Sequence, residues 1–390
     1  MSVSIDQKKI GKEYPVYFIA DIASNHCGDL SKAKELIFAC AESKVDAVKM
    51  QNFAAETIVS DFGFKNLKGV KTHQSEWKTS VFDSYKAASI PFEWTLELKE
   101  LTEKLGMAYF TSPYSIELVN AVAPYVSAFK LGSGDITWHE EIEEMCRYGK
   151  TLLIATGAST MYEVEMAMQV AMRQTDDIIL MQCNTNYTAK KDEIRELTTE
   201  RYKNINLKVL ESYAKKWPNI PLGLSDHTHG SLTVLGAVGL YDCAAVEKHF
   251  TLDSSLEGQD HAFSMMPDEW LDMVNQTAEL KKNISLDMDF EERYKITSEF
   301  TNQPEDLSLC IGNGLKTIQG NERNTTIVQR RAIRAVKDMG EGTVIDRNCL
   351  IMLRPCPEDG IEPYKVDQVL GSRLRTKITA GEHIKFEDLV

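Results

Sequence analysis

Residues 222–260 read LGLSDHTHGSLTVLGAVGLYDCAAVEKHFTLDSSLEGQD. Two short apolar runs, 221–224 and 244–246, each end in polar residues. The first runs into Ser225, Asp226 and His227, the second into Glu247 and His249, and a helix-like run, 232–240, lies between them. That is strand, helix, strand, with chemistry at the C-terminal tips of both strands, where parallel α/β proteins build their sites. The pattern recurs outward. Apolar β-rich runs at 16–20, 47–50, 108–111, 128–131, 152–155 and 178–182 precede the pair at 221–224 and 244–247. Helical patterns follow most of them, at 31–41, 94–105, 142–148 and 161–172. Eight such units predict an α/β fold, a (β/α)8 TIM barrel over about residues 14–285. The alternative is an open doubly wound sheet, but no GxGxxG opens the first helix.

Three segments fall outside the repeat. The connection 52–92 is too long for a simple turn; it either carries its own helices near the site or packs on the barrel as an insertion. Residues 283–329 are polar and irregular. Residues 330–390 contain an internal echo: Gly342, Ile345 and Leu350 have the spacing of Gly381, Ile384 and Leu389. The expected division is a barrel over 1–285, a linker over 286–327 and a small β-rich module over 328–390. At about 60 residues that module is marginal alone and gains stability by docking.

A net charge of −14 argues against a nucleic-acid partner, which needs a basic face. No apolar run approaches the roughly 20 residues that span a bilayer, and the start shows no signal-peptide h-region, so a cytoplasmic location is expected. Eight scattered cysteines without a CxxC pair read as reduced thiols.

If the barrel closes, the residues at the strand tips share one bowl. Lys49 and Lys130 sit inside apolar runs (AVKMQ, AFKLGS), and a buried lysine needs an anionic partner. Structural Lys–Asp bridges would satisfy them, and so would a phosphorylated or carboxylated ligand. His227 and His249 end neighbouring strands, and Glu247 shares a face with His249. Two histidines and a carboxylate can hold a divalent metal or simply hydrogen-bond one another. His227-Thr-His229 is an HxH, but barrel zinc hydrolases carry that pair on the first strand rather than the seventh.

These residues resemble the sialic acid synthase family, N-acetylneuraminate synthase and its nonulosonate-forming relatives. The matching pieces are IADIASNHCGDLSKAKELI, DAVKMQ, FTSPY, FKLGSGDIT, ATGAST, LSDHT, VEKHFTLD and GQDHAFSM. Through RRAIRAVKDMGEGTVI, LRP, VLGSRL and ITAGEHI, the C-terminal part resembles that family's antifreeze-like (SAF) domain. The resemblance implies condensation of phosphoenolpyruvate with an N-acetylated hexosamine, N-acetylmannosamine or a 2,4-diacetamido relative. It implies a divalent metal, Mn²⁺ or Mg²⁺, on His227 and His249. Lys49, Thr111, Lys130, Ser133, Thr185 and Ser225 would cradle phosphoenolpyruvate. Gln51, Tyr187, Glu247 and Asp260 would hold the sugar or order water, with Asp21, Asp135, Glu247 and Tyr187 as the catalytic set. In a domain-swapped homodimer, Arg354 would reach the partner's acceptor.

The chain departs from the family pattern at Asp21 and Asp135, where Glu is usual, and at Ala155 and Gln329. Each aspartate is shorter by one methylene, roughly 1.5 Å. Another phosphoenolpyruvate-dependent ulosonate synthase and a non-catalytic sugar-binding homologue are the alternatives. The first would need an extra basic cluster for a phosphorylated aldose; the second would have lost activity through the two aspartates, but these keep a carboxylate and the Lys and His positions are intact.

Overall fold

The computed structural model describes residues 2–70, 74, 77–185, 202–256, 258 and 260–390. A hairpin of β1 (Val3–Ile5) and β2 (Lys8–Ile10) opens the chain. It is tied to the start of a barrel strand, where the Thr151 hydroxyl donates to the Ser4 carbonyl. Eight parallel strands then close a barrel in sequence order. They are β3 (Tyr17–Asp21), β4 (Ala47–Asn52), β5 (Ala108–Pro113), β6 (Ala128–Leu131), β7 (Thr151–Ala155), β8 (Ile178–Cys183), β9 (Leu222–Asp226) and β10 (Ala245–His249), and β10 pairs back onto β3. Nearly every strand residue is buried, which is why the strands read as continuous apolar runs.

Alternation along each strand decides what enters the barrel. Asp21 pairs with Lys49, Gln51 with Ser112, and Glu247 with Ser225, so these side chains share the inner face. Lys248 takes the outer face. There it donates to Asp226 Oδ2 at 2.5 Å and to the Thr228 carbonyl, an ion pair beneath the outer helices rather than in the bowl.

The helix Leu232–Tyr241, apolar all round, has every residue buried. A helix of that kind needs cover on both sides. The barrel supplies one side, and helices Phe290–Thr301 and Pro304–Ile311 of segment 286–327 pack against it. Gly239 permits the closest approach, because a Cβ there would lie 2.3 Å from Thr297 Oγ1.

The long β4–β5 connection carries helices Ala55–Ile58, Asp61–Asn66 and Val81–Ala88, plus a small core of Phe53, Ile58, Val59 and Tyr85. It both has its own helices and serves as a bed for the C-terminal module. Ser60 N–H donates to the Arg354 carbonyl at 2.7 Å, Arg354 N–H to the Ile58 carbonyl, and the Ser60 hydroxyl to the Gly381 carbonyl. The module pairs β11 (Ala332–Ala335) with β12 (Leu350–Leu353) over a core of Ile333, Met352, Val369, Leu374 and Ile384. Trp138, from the loop after β6, inserts into that core. The sequence echo is structural. Gly342 and Gly381 both sit at positive φ (76° and 78°), and 3-10 turns follow at Arg347–Cys349 and Phe386–Asp388. The module rests on the barrel of its own chain.

Candidate active site

Two lysines and two carboxylates alternate across the inner mouth of the barrel. Lys49 Nζ lies 2.7 Å from Asp21 Oδ2 and 3.8 Å from Glu247 Oε1, and Lys130 Nζ is 2.8 Å from Glu247 Oε1. Gln51 Nε2 donates to Asp21 at 3.0 Å, and the Ser225 hydroxyl to Glu247 at 3.3 Å. All but Gln51 are buried. Burial alone would raise the Asp21 carboxyl; Lys49 and then His249 outweigh it, and the net shift is downward. Burial would lower Lys49, but Asp21 and Glu247 outweigh it upward. Both groups therefore stay charged. Among the described residues, Glu247 Oε2 has no hydrogen-bond partner although it is buried. A native protein seldom leaves such an atom unsatisfied, so it marks a place for a ligand or water.

His227 and His249 stand side by side, ring centres 5.4 Å apart. The His227 imidazole is held down at about 3, first by burial and then by the neighbouring His249. Its Nδ1–H donates to the Asn184 carbonyl at 3.1 Å, which leaves the lone pair on Nε2. His249 Nε2 is 3.6 Å from Asp21 Oδ2, and its buried Nδ1 has no partner among the described residues. Phe263 packs edge-on against His249 at 4.9 Å. Two neighbouring imidazoles, one with an orphaned nitrogen, fit two positions of a divalent cation. No third His, Cys, Asp or Glu completes a metal cluster among the described residues, so other ligands would be water and substrate.

Three expected site residues make other contacts than the resemblance implies. Thr111 does not enter the bowl. It pairs with Phe129, whose ring packs outward on Tyr148, and its hydroxyl lies 2.7 Å from Asn52 Oδ1. Ser112 takes the inward position instead, 3.5 Å from Lys49 Nζ. Thr185 directs both its N–H and its hydroxyl at Glu322 Oε1, at 2.9 and 3.1 Å, rather than at an anion in the bowl. Asp135, expected to be catalytic, is a docking point. Arg331 Nε donates to its Oδ1 at 2.5 Å, and Arg354 Nη2 to its Oδ2 at 2.9 Å. Burial would raise this carboxyl; Arg331 and then Arg354 bring it down overall.

The remaining candidates line the rim. Ser133 Oγ accepts from Gly157 N–H at 2.9 Å. Asp260 accepts from the Ser24 hydroxyl at 2.6 Å. Arg354 donates to Gln329 Oε1 at 2.6 Å, and its guanidinium lies over the Tyr114 ring at 5.1 Å. A cavity reaches from Gln51, His249 and Asp260 to Phe53, Tyr85 and Arg354. Tyr187 lies outside the described residues.

Sequence reasoning missed Arg331 and Glu322. Arg331 is fully buried over the Trp138 ring, and it also donates to the carbonyls of Thr57, Tyr114 and Met352. Glu322 accepts from Thr185 and from Ala158 N–H at 2.7 Å, which stitches segment 286–327 to the tips of β7 and β8. The available signal was its capping-box spacing from Gln319.

A family model described as NeuB family matches residues 36–287, and a SAF domain model matches residues 330–390. The chain is 30% identical to N,N'-diacetyllegionaminic acid synthase of Legionella pneumophila over 98% of its length and 97% of that protein. It is 27% identical to pseudaminic acid synthase of Helicobacter pylori, covering 96% and 98% of the two chains. The crystal structure of the spore coat polysaccharide biosynthesis protein SpsE of Bacillus subtilis superposes with a TM-score of 0.76 at 25% identity, covering 100% of this chain and 99% of that one.

Proposed function

The chain belongs to the NeuB family, and from that premise we propose that it condenses phosphoenolpyruvate with an unphosphorylated N-acylated hexosamine, releasing phosphate and a nonulosonic acid. The observation that carries this reading is the paired buried lysines facing a carboxylate and an imidazole that each keep an unpartnered atom among the described residues. Lys49 and Lys130, with Ser112 and Ser225 beside them, are placed to hold the carboxylate and phosphate of the enol ester. Gln51, Asp260 and Arg354 border the cavity in which the sugar would lie. Arg354 is the cavity's one Lys or Arg among the described lining, and Asp135 already partners it. That favours a sugar without phosphate over an aldose phosphate.

Fixing both substrates there brings C3 of the enol ester to the acceptor's aldehyde carbon. As the C–C bond forms, positive charge develops at C2. Water adds to C2, and phosphate leaves by C–O cleavage. Glu247, with one oxygen on Lys130 and the other without a partner among the described residues, is the group placed to take and return protons. A divalent ion on His227 and His249, Mn²⁺ or Mg²⁺, would polarise the aldehyde oxygen when bound. The module carrying Arg354 excludes water once the cavity is filled. The same docking surfaces, met across two chains, would give the exchanged homodimer, and a cytoplasmic location belongs to this proposal. No helix among the described residues is long and apolar enough to cross a membrane.

Phosphate release from phosphoenolpyruvate with Mn²⁺, over a panel of acceptors, tests the reading. The panel comprises N-acetylmannosamine, 2,4-diacetamido-trideoxyhexoses and arabinose 5-phosphate. Release with one N-acylated hexosamine is expected. Release with the aldose phosphate alone, or with none by a folded metal-loaded protein, overturns it.

A further inference from the structure

We propose that Cys27 is a reactive thiol, with His261 as its base, that hydroperoxides oxidise reversibly to a sulfenic acid. Three side chains from two loops build the arrangement. Cys27 Sγ lies 3.3 Å from His261 Nε2, and His261 Nδ1 lies 2.7 Å from Thr251 Oγ1. The other contacts of Thr251 favour one tautomer. Its hydroxyl donates to the Asp253 carbonyl and accepts from Asp253 N–H, each at 3.2 Å. With the hydroxyl proton on the Asp253 carbonyl, Nδ1 of His261 is the donor in that contact. Nε2 then carries the lone pair and faces the sulfur, whose other contact is the Asn25 carbonyl at 3.5 Å. Nucleophile, base and orienting group stand in the order that activates a thiol.

The electrostatics keep the base ready. Burial lowers the His261 imidazole, with Lys32 acting the same way, while Asp260 and Asp253 oppose; the net direction is downward. The ring is thus neutral at neutral pH and able to accept the thiol proton. Cys27 is also accessible, being exposed while the other seven cysteines are buried.

The chemistry balances. His261 takes the thiol proton as the sulfur attacks one peroxide oxygen. An S–O bond forms and the O–O bond breaks. The leaving oxyanion, hydroxide from hydrogen peroxide, collects the proton from the imidazolium and departs as water. Sulfur loses two electrons and the peroxide gains them. A small thiol reverses the change by way of a mixed disulfide.

The position couples this thiol to the cavity. His261 follows Asp260, whose carboxylate is bound to Ser24, and it precedes Phe263, which packs on His249. Ser24 and Cys27 lie on one loop, so an oxygen added to the sulfur pushes directly between the two loops. Arrest of turnover is the expected result; this consequence alone rests on the synthase reading.

The full-length protein is treated with a few equivalents of hydrogen peroxide and trapped with dimedone, and the adducts are located by peptide mass. The expected result is a thiol-reversible adduct on Cys27, formed ahead of the other cysteines. Labelling should slow about tenfold or more in folded His261→Gln. Cys27→Ser should release phosphate like the parent and resist peroxide. Three results would each overturn the proposal: no Cys27 adduct in the folded protein, equal labelling in His261→Gln, or equal peroxide loss in Cys27→Ser. A protein that turns over no acceptor refutes the synthase reading instead, and labelling still decides the fate of this one.

Discussion

Two buried ion networks occupy the same end of the barrel, and they are finished to different degrees. In the bowl, Lys49, Lys130, Asp21 and Glu247 share each other unevenly, and Glu247 Oε2 and His249 Nδ1 are left without partners among the described residues. At the dock, each oxygen of Asp135 has its own guanidinium, and Arg331 also reaches three backbone carbonyls. Both networks cost desolvation. A network that holds two parts of a chain together gains by closing all its bonds. A network that must take in a substrate gains by leaving some open. Glu247 keeps one oxygen open among the described residues, whereas both oxygens of Asp135 are held by the dock.

The largest effect expected from this contrast is at the open network. His249→Ala should cut phosphate release by roughly 10²–10³-fold, the loss of several kcal/mol of charge stabilisation, while the thermal midpoint moves little. Metal titration and turnover on the same folded sample check this. Retained activity in chelating buffer would remove the metal from the account. Asp135→Asn should do the reverse. Breaking one side of a buried ion pair costs about 3–5 kcal/mol, so denaturant unfolding and proteolysis near the docking contacts should report a loosened module first. The direction with pH follows. The folded carboxyl lies below its unfolded value of 3.8, so its stabilisation is complete above that value and is lost as pH falls through the folded one. The variant should therefore show a flatter acid limb. If Asp135→Asn leaves stability intact and removes only activity, the division between the networks fails.

A finer contrast lies inside the bowl. Lys130→Met should raise the Michaelis constant for phosphoenolpyruvate about tenfold or more and leave that for the sugar nearly unchanged. Initial rates with each substrate varied in turn decide this. Equal shifts in both constants would mean that Lys130 supports the barrel rather than the enol ester.

The barrel was open to sequence reasoning because period and burial agree over β3–β10. So were the positions of Lys49 and Lys130, because a charge inside an apolar run has few explanations, and of His227 and His249, which end neighbouring strands. The phase of a strand is harder. FTSPY offers two adjacent hydroxyls, and only pairing with Lys49 and Gln51 shows that Ser112 faces in and Thr111 out. Asp135 and Arg331 are 196 residues apart, and nothing local in either stretch announces the pair. Segment 286–327 looked irregular because its helices face Leu232–Tyr241, whose fully apolar surface was the real clue that something must cover it.

The smallest effect tests the dock through a residue that belongs to neither network. Glu141 is 1% exposed, close to Asp135, Arg331 and Arg354, and neither of its oxygens has a hydrogen-bond partner among the described residues. Burial and then Asp135 push its carboxyl well above the ordinary 4.5, so it is held as the neutral acid where Asp135 is held as the anion. A raised carboxyl favours folding below its unfolded value, and that advantage is lost as pH rises from there toward the folded value. Above the unfolded value, folding therefore works against ionisation of Glu141. Glu141→Gln removes that conflict and keeps the shape. The variant should melt about 1–2 °C above the parent near pH 8 and level with it near pH 4. Scanning calorimetry at the two pH values reads the difference. A variant that melts lower at pH 8 would mean that Glu141 is ionised and serves the arginines, and the dock would then be a shared network like the bowl.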